Sequence, residues 1–373
     1  MKAINLGDNT YDIFDDAMKV YSELPVQSYV VRCSKTRGFF LEKYNDMEIR
    51  ESKIYGVHNE KIAKVMNMFS SSDRNLGVIL SGAKGIGKSL FAKMLANTAI
   101  QKGIPVIVVD KYVPGIASYI EEIEQEVMVL FDEFDKTFGE VKSKDGEASP
   151  QTDLLTLFDG LSDGKKLFVI TCNELRKLND YLINRPGRFH YHFRFEYPSA
   201  AEVEVYLKDK LKEDFYPEIN NVISFANRVS LNYDCLRAVA TELNTGIKFS
   251  EAIKDLNIVN TERQQYNVSL IYNNGTVFKS RNASLDMFSS DIKSVYMYDK
   301  RGENVVDIKF NPCDAFYDEK KSAHIITPEN LLISYCYDDE YENEREKKAS
   351  LEKAGIKYAV ITRKMPKGIH YAV

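Results

Sequence analysis

The eight residues GAKGIGKS, Gly82 to Ser89, constrain this chain more than any other stretch. They fit the spacing G-x-x-x-x-G-K-[ST], preceded by the apolar run LGVILS and followed by KSLFAKMLANTAIQKG. A short apolar run ending in glycine reads as a buried strand. The segment after it places Leu90, Phe91, Met94 and Leu95 on one helical face, with Gly103 as its cap. A glycine-rich turn between strand and helix lets backbone N–H groups wrap phosphate oxygens, and the helix N-terminus adds a favourable dipole. In that context Lys88 reaches the β- and γ-phosphates and Ser89 ligates magnesium.

Three more apolar runs, IPVIVVD, VMVLFD and KLFVIT, are separated by helical patterns. Such alternation predicts a parallel sheet covered on both faces, an α/β fold. The second run ends in Asp132 and Glu133. A carboxylate at a strand end can hold magnesium, and the next one can orient the attacking water. The third run is followed by Asn173, whose amide either contacts the γ-phosphate side or caps a turn. In INRPGRFHYHF, Arg185 and Arg188 stand on a Pro-Gly turn and need an anion, solvent or a partner chain.

The order of GAKGIGKS, VLFDEFD, LFDGL, VITCN and LINRPGRF over roughly residues 54–260 resembles an AAA-family ATPase of the AAA+ superfamily, similar to Bcs1-like and small phage-encoded members. The resemblance implies an αβα P-loop core with a helical lid, binding ATP and Mg2+ at subunit junctions of a homo-oligomeric, commonly hexameric ring. It makes Gly82, Ala83, Lys84, Gly85, Ile86, Gly87, Lys88, Ser89 and Leu90 the Walker A nucleotide-binding segment. Asp132 and Glu133 become Walker B, with Ser89 and Asp132 on the metal and Glu133 catalytic. Asn173 becomes sensor 1, and Arg185 and Arg188 the arginine fingers. Tyr55 and Gly56, in IYG, match the segment bordering adenine. Arg237 matches a sensor-2 arginine, and equally the form in which Asp234 holds the place instead. Tyr112 and Val113, in KYVPG, resemble a pore loop that grips polypeptide, or else form a turn whose tyrosine packs locally.

The organisation read from the sequence is an N-terminal extension (1–53), an ATPase large subdomain (54–198), a helical lid (199–262) and a β-rich accessory domain (263–373). Ser199 and Glu202 have capping-box spacing at the lid start. Tyr266, Val268, Leu270 and Tyr272 alternate with period two in the last domain. The net charge of −5 and the odd count of five cysteines, with no C-x-x-C pair, point to reduced thiols in the cytoplasm and away from a dedicated nucleic-acid binder. No apolar run has transmembrane length. The function expected is ATP-driven remodelling or threading of a protein. The alternative is a DNA-associated ATPase that loads or moves a nucleic-acid assembly, supported by the lysine-bearing KTFGEVKSKDGEASPQ and the basic-aromatic VRCSKTRGFFLEK. His190 and His192 lie two apart without an evident third metal ligand.

Overall fold

The structure is a computed structural model describing residues 2–364 apart from 6–10, 15–17, 46, 48, 50–57, 140–149, 160–163, 259–263, 281 and 338–340. The chain divides into two compact units, 1–197 and 198–373.

The first unit opens with a small antiparallel pair, β1 (Lys2–Asn5) and β2 (Tyr11–Phe14). Then come β3 (Ser28–Ser34), β4 (Gly38–Lys43), α1 (His58–Ser71), β5 (Leu76–Ser81), α2 (Lys88–Gln101), β6 (Val106–Val109), α3 (Ile116–Glu121), β7 (Val127–Phe131), α4 (Phe134–Thr137), α5 (Pro150–Asp159), β8 (Lys166–Cys172) and β9 (Tyr191–Arg194). The sheet order is β4-β3-β6-β7-β8-β5-β9, and every pairing except β3 with β4 is parallel. Successive strand residues feed opposite layers. Val78 and Leu80 of β5 join Val65, Phe69, Phe91 and Leu95 from α1 and α2. Ile79 joins Ile116, Phe134, Leu154 and Phe158 from α3, α4 and α5. Both faces are therefore covered, which is why these strands read as unbroken apolar runs.

Residues 1–53, expected as an N-terminal extension, contribute two strands to the core sheet. β3 pairs in parallel with β6, setting Tyr29 against Ile107, and β4 closes the edge. Val30 and Val31 are buried on opposite sides of the sheet. Two of the four basic residues of this patch have partners within the unit. Arg32 pairs with both Asp110 and Glu42, and Arg37 lies over the Phe40 ring.

The second unit begins with the capping box: Ser199 Oγ accepts the Glu202 N–H, and Glu202 Oε2 accepts the Ser199 N–H. Its helices are α6 (Ala200–Lys210), α7 (Ile219–Ala226), α8 (Tyr233–Asn244) and α9 (Phe249–Asp255). Leu236, Val239, Ala240 and Leu243 form the buried face of α8, as the helical period requires. The strands are β10 (Gln264–Tyr272), β11 (Val277–Lys279), β12 (Ala283–Leu285), β13 (Lys293–Tyr298), β14 (Asn304–Phe310), β15 (Phe316–Asp318), β16 (Ala323–Ile326), β17 (Leu332–Tyr335) and, after α10 (Glu342–Ala354), β18 (Ile356–Arg363). They form one antiparallel sheet, β15-β16-β18-β10-β11-β13-β14-β17, with β12 also on β10. Helices and sheet, expected as separate domains, share one compact unit. Arg228, beyond α7, donates to His324 Nε2 at 3.0 Å and to the Ala315 carbonyl at 2.9 Å, while the Tyr266 hydroxyl donates to the Arg228 carbonyl.

Candidate nucleotide site

The site lies beyond the C-terminal ends of β5, β7 and β8, three adjacent parallel strands. In open parallel sheets the crevice at that end is where ligands bind. β5 stops at Ser81 and α2 starts at Lys88, so the turn between them must fold back sharply. Gly82, Gly85 and Gly87 all have positive φ, of 143°, 75° and 99°. At Gly82 the approach is also close: a Cβ there would collide with the Phe195 carbonyl oxygen. Ile86 is buried beneath the turn, and Ser89 is exposed at the helix start. Gly87 faces His58, whose ring sits among Phe91 and Phe195.

Lys88 is only 7% exposed. Its ammonium donates to the Gly82 and Ala83 carbonyls at 2.7 and 2.6 Å and to Asn173 Oδ1 at 2.8 Å. The sheet thus brings Asn173 to the lysine from 85 residues away. Burial lowers the Lys88 pKa, opposed by the field of the nearby carboxylates Asp135, Asp132 and Glu133. Cys172 is pushed up to about 12 by burial, leaving it a neutral thiol.

Asp132 Oδ1 accepts the Thr171 hydroxyl at 2.6 Å, and the Glu133 N–H donates to the same hydroxyl at 2.8 Å. Glu133 has φ 47° and its Oε1 pairs with Lys136 at 2.7 Å. Asp135, 1% exposed, accepts the Glu174 N–H through Oδ2, and its Oδ1 has no hydrogen-bond partner among the described residues. An ammonium, backbone donors at a helix start and a carboxylate two strands away form a donor set suited to a polyphosphate with a divalent cation.

The finger candidates differ. Arg188 makes a two-point pair with Asp159 at the end of α5 and donates to the Tyr181 carbonyl at 2.8 Å. The pair raises the Arg188 pKa and lowers that of Asp159. Arg185 is exposed, its guanidinium 5.5 Å from the Tyr181 ring centre. Tyr112 packs edge-on against Phe138, and its hydroxyl donates to Asp153 Oδ2 at 2.5 Å. It is the locally packed tyrosine of the two readings, with Val113 half-buried beside it. Arg237 and Asp234, the two sensor-2 alternatives, lie 3.8 Å apart on the exposed face of α8. Tyr55 and Gly56, and most of KTFGEVKSKDGEASPQ, lie outside the described residues. His192 Nε2 meets Ser81 Oγ at 2.6 Å, and no cluster of three metal-ligating side chains occurs among the described residues.

Sequence reasoning placed Thr171 only as a strand end and passed over its hydroxyl and His58, and it left Asp135 between the acidic site and a solvated helix start, whereas Asp135 is buried. A threonine inside an apolar run reads only as a β-branched strand former, so its hydroxyl gives no signal.

Residues 78–197 match the family described as "ATPase family associated with various cellular activities (AAA)". The chain is 31% identical over 166 residues to a Corynebacterium kroppenstedtii protein named "AAA ATPase forming ring-shaped complexes", across 37% of this chain and 29% of that protein. It is 27% identical over 194 residues to the "Proteasome-associated ATPase" of Mycolicibacterium smegmatis, across 44% and 31%. It is 29% identical over 148 residues to the "ATP-dependent zinc metalloprotease FtsH" of Aster yellows witches'-broom phytoplasma, across 35% and 21%. The chain therefore spans less than a third of the length of each of these relatives. The phosphate turn, the acidic strand end and Asn173 converge on one crevice, and all three lie within the residues that match the AAA family of ATPases.

Proposed function

We propose that this chain hydrolyses ATP with Mg2+, assembles as a homo-oligomeric ring and uses the turnover to remodel or thread a polypeptide. One observation carries the reading: Lys88, Asn173, Asp132 and Glu133 meet at the ends of three neighbouring strands. Lys88 and the backbone of Gly82–Ser89 hold the phosphates. Ser89 and Asp132 supply oxygen ligands for the cation, which neutralises charge on the phosphates when bound. Glu133, once released from Lys136, orients the attacking water, and Asn173 marks the γ-phosphate side. Phosphoryl transfer asks mainly for positioning and charge neutralisation, so these groups suffice.

Ring assembly is supported by the relatives named for ring-shaped complexes, and by Arg185, a cation on a turn with its charge turned outward. A polypeptide substrate is supported by the proteasome-associated and FtsH relatives. Six subunits with ATP at each junction is the arrangement we expect. Contact of Tyr112 with a substrate requires its bond to Asp153 to open.

Glu133→Gln is the test. It should keep ATP binding and lower turnover by about 10²–10⁴-fold, the contribution of a positioned general base. Trapped with ATP in native extract, the variant should retain a protein. Turnover unchanged by the substitution would refute the catalytic assignment, and recovery of DNA in place of a polypeptide would refute the substrate class.

A further inference from the structure

The acidic strand end is held by a group to which none of the motifs above gives a role. Thr171 is 1% exposed and stands one residue past the last paired position of β7 and β8, where Phe131 faces Ile170. The register therefore sets its hydroxyl beside Asp132 and Glu133. On its other side Thr171 pairs with Leu80, one residue short of the strand end that leads into the phosphate turn. A threonine hydroxyl carries one proton and two lone pairs. Its proton goes to Asp132 Oδ1 and a lone pair takes the Glu133 N–H. Both directions of the bridge are thus determined.

Two consequences follow for the acidic pair. Asp132 Oδ1 is held by the Thr171 hydroxyl, which fixes the direction in which the carboxylate presents its remaining lone pairs. Glu133 lies in the left-handed region, which a residue with a side chain holds only when its surroundings over-determine it. The Thr171 bond supplies that constraint at the backbone nitrogen of Glu133. Valine would keep the branched shape but would leave the Asp132 oxygen and the Glu133 N–H without this partner. Serine would keep the bridge.

We infer that Thr171 is a positioning residue for ATP hydrolysis, its hydroxyl fixing Asp132 and the Glu133 turn in the orientation that the cation and the attacking water require. The inference rests on the ATPase reading above. It is tested with Thr171→Val and Thr171→Ser in the full chain, reading hydrogen exchange over residues 131–138, nucleotide affinity and turnover. In the valine variant the Glu133 amide should exchange about 10-fold faster, the effect of one lost hydrogen bond. Its turnover should fall about 10–100-fold, as small misplacements of catalytic groups do. Nucleotide affinity should stay within about twofold, because the Lys88 contacts are untouched. Serine should restore both exchange and turnover. Valine behaving as wild type, or serine performing no better than valine, would overturn the inference. If valine prevents folding, as melting curves would reveal, Thr171→Ala replaces it in the comparison with serine. A wild-type chain without turnover would sink the ATPase reading by itself, and the exchange measurement would still decide whether the bridge exists.

Discussion

Lys88 serves two sides of the site with one ammonium. It closes the phosphate turn on its own carbonyls and reaches across the sheet to Asn173. Charge-assisted bonds of this kind are individually stronger than neutral ones, and burial raises the cost of leaving either side unpaired. Lys88→Ala should weaken ATP binding by about 10–100-fold, as expected for one or two lost bonds to a charged group. Titration calorimetry would measure it, and undiminished affinity would mean that the turn binds through backbone donors alone. The Thr171 bridge belongs to the same scale: one hydroxyl sets the relation of two carboxylate-bearing residues.

At the scale of elements, α5 ties separate segments together. Its first turns carry Gln151, bonded to the Lys177 carbonyl and the Asn179 N–H, and Asp153, bonded to Tyr112. Its end carries Asp159, which holds Arg188. In the second unit the corresponding tie is Arg228 with His324 on β16. His324 accepts from Arg228 and is therefore neutral. Burial first, and then the Arg228 cation, keep its pKa at about 4 against an ordinary 6.5. Between those values the unfolded chain binds a proton that the folded chain refuses, so stability should fall as pH drops through that window and level off below about 4. The loss is on the order of 3 kcal/mol. Arg228 and the Tyr317 ring are the neighbours that face His324. Glutamine at 324 can accept from Arg228 without titrating, so His324→Gln should flatten the decline of melting temperature between pH 6.5 and 4. An unaltered slope would place the acid sensitivity elsewhere.

At the scale of the whole molecule, the two arginines of the Pro-Gly turn have distinct places. Arg188 is spent inside its own chain, bracing the turn against α5, and Arg185 is the one turned outward. If Arg185 completes a neighbour's site, subunits carrying Arg185→Ala and subunits carrying Lys88→Ala, each inactive alone, should regain ATPase activity when mixed. Arginine fingers contribute about 10³–10⁵ in turnover elsewhere, so even partial recovery would stand far above background. Mixtures as inactive as their parts would confine Arg185 to its own chain.

The sequence by itself determined the core sheet, the phosphate turn and the acidic strand end. Strands buried on both faces must be continuously apolar, and a turn that wraps phosphates must be rich in glycine, so both leave local signatures. The period-two alternation of Tyr266 to Tyr272 was local in the same sense. Only the tertiary structure decided that β3 and β4 extend the core sheet. The mixed polar and apolar residues of β3 and β4 suit any half-exposed pair of strands, and the core partner of β3, β6, lies some 70 residues away along the chain. It also decided that Tyr112 turns to Asp153, that Arg188 turns to Asp159, and that Thr171 bridges Asp132 and Glu133. Each of these joins residues at least 29 positions apart through no more than two polar contacts per pair. Hydrophobic periodicity is written residue by residue, whereas the meeting of two polar atoms is set by strand register and helix placement, which exist only once the chain has folded.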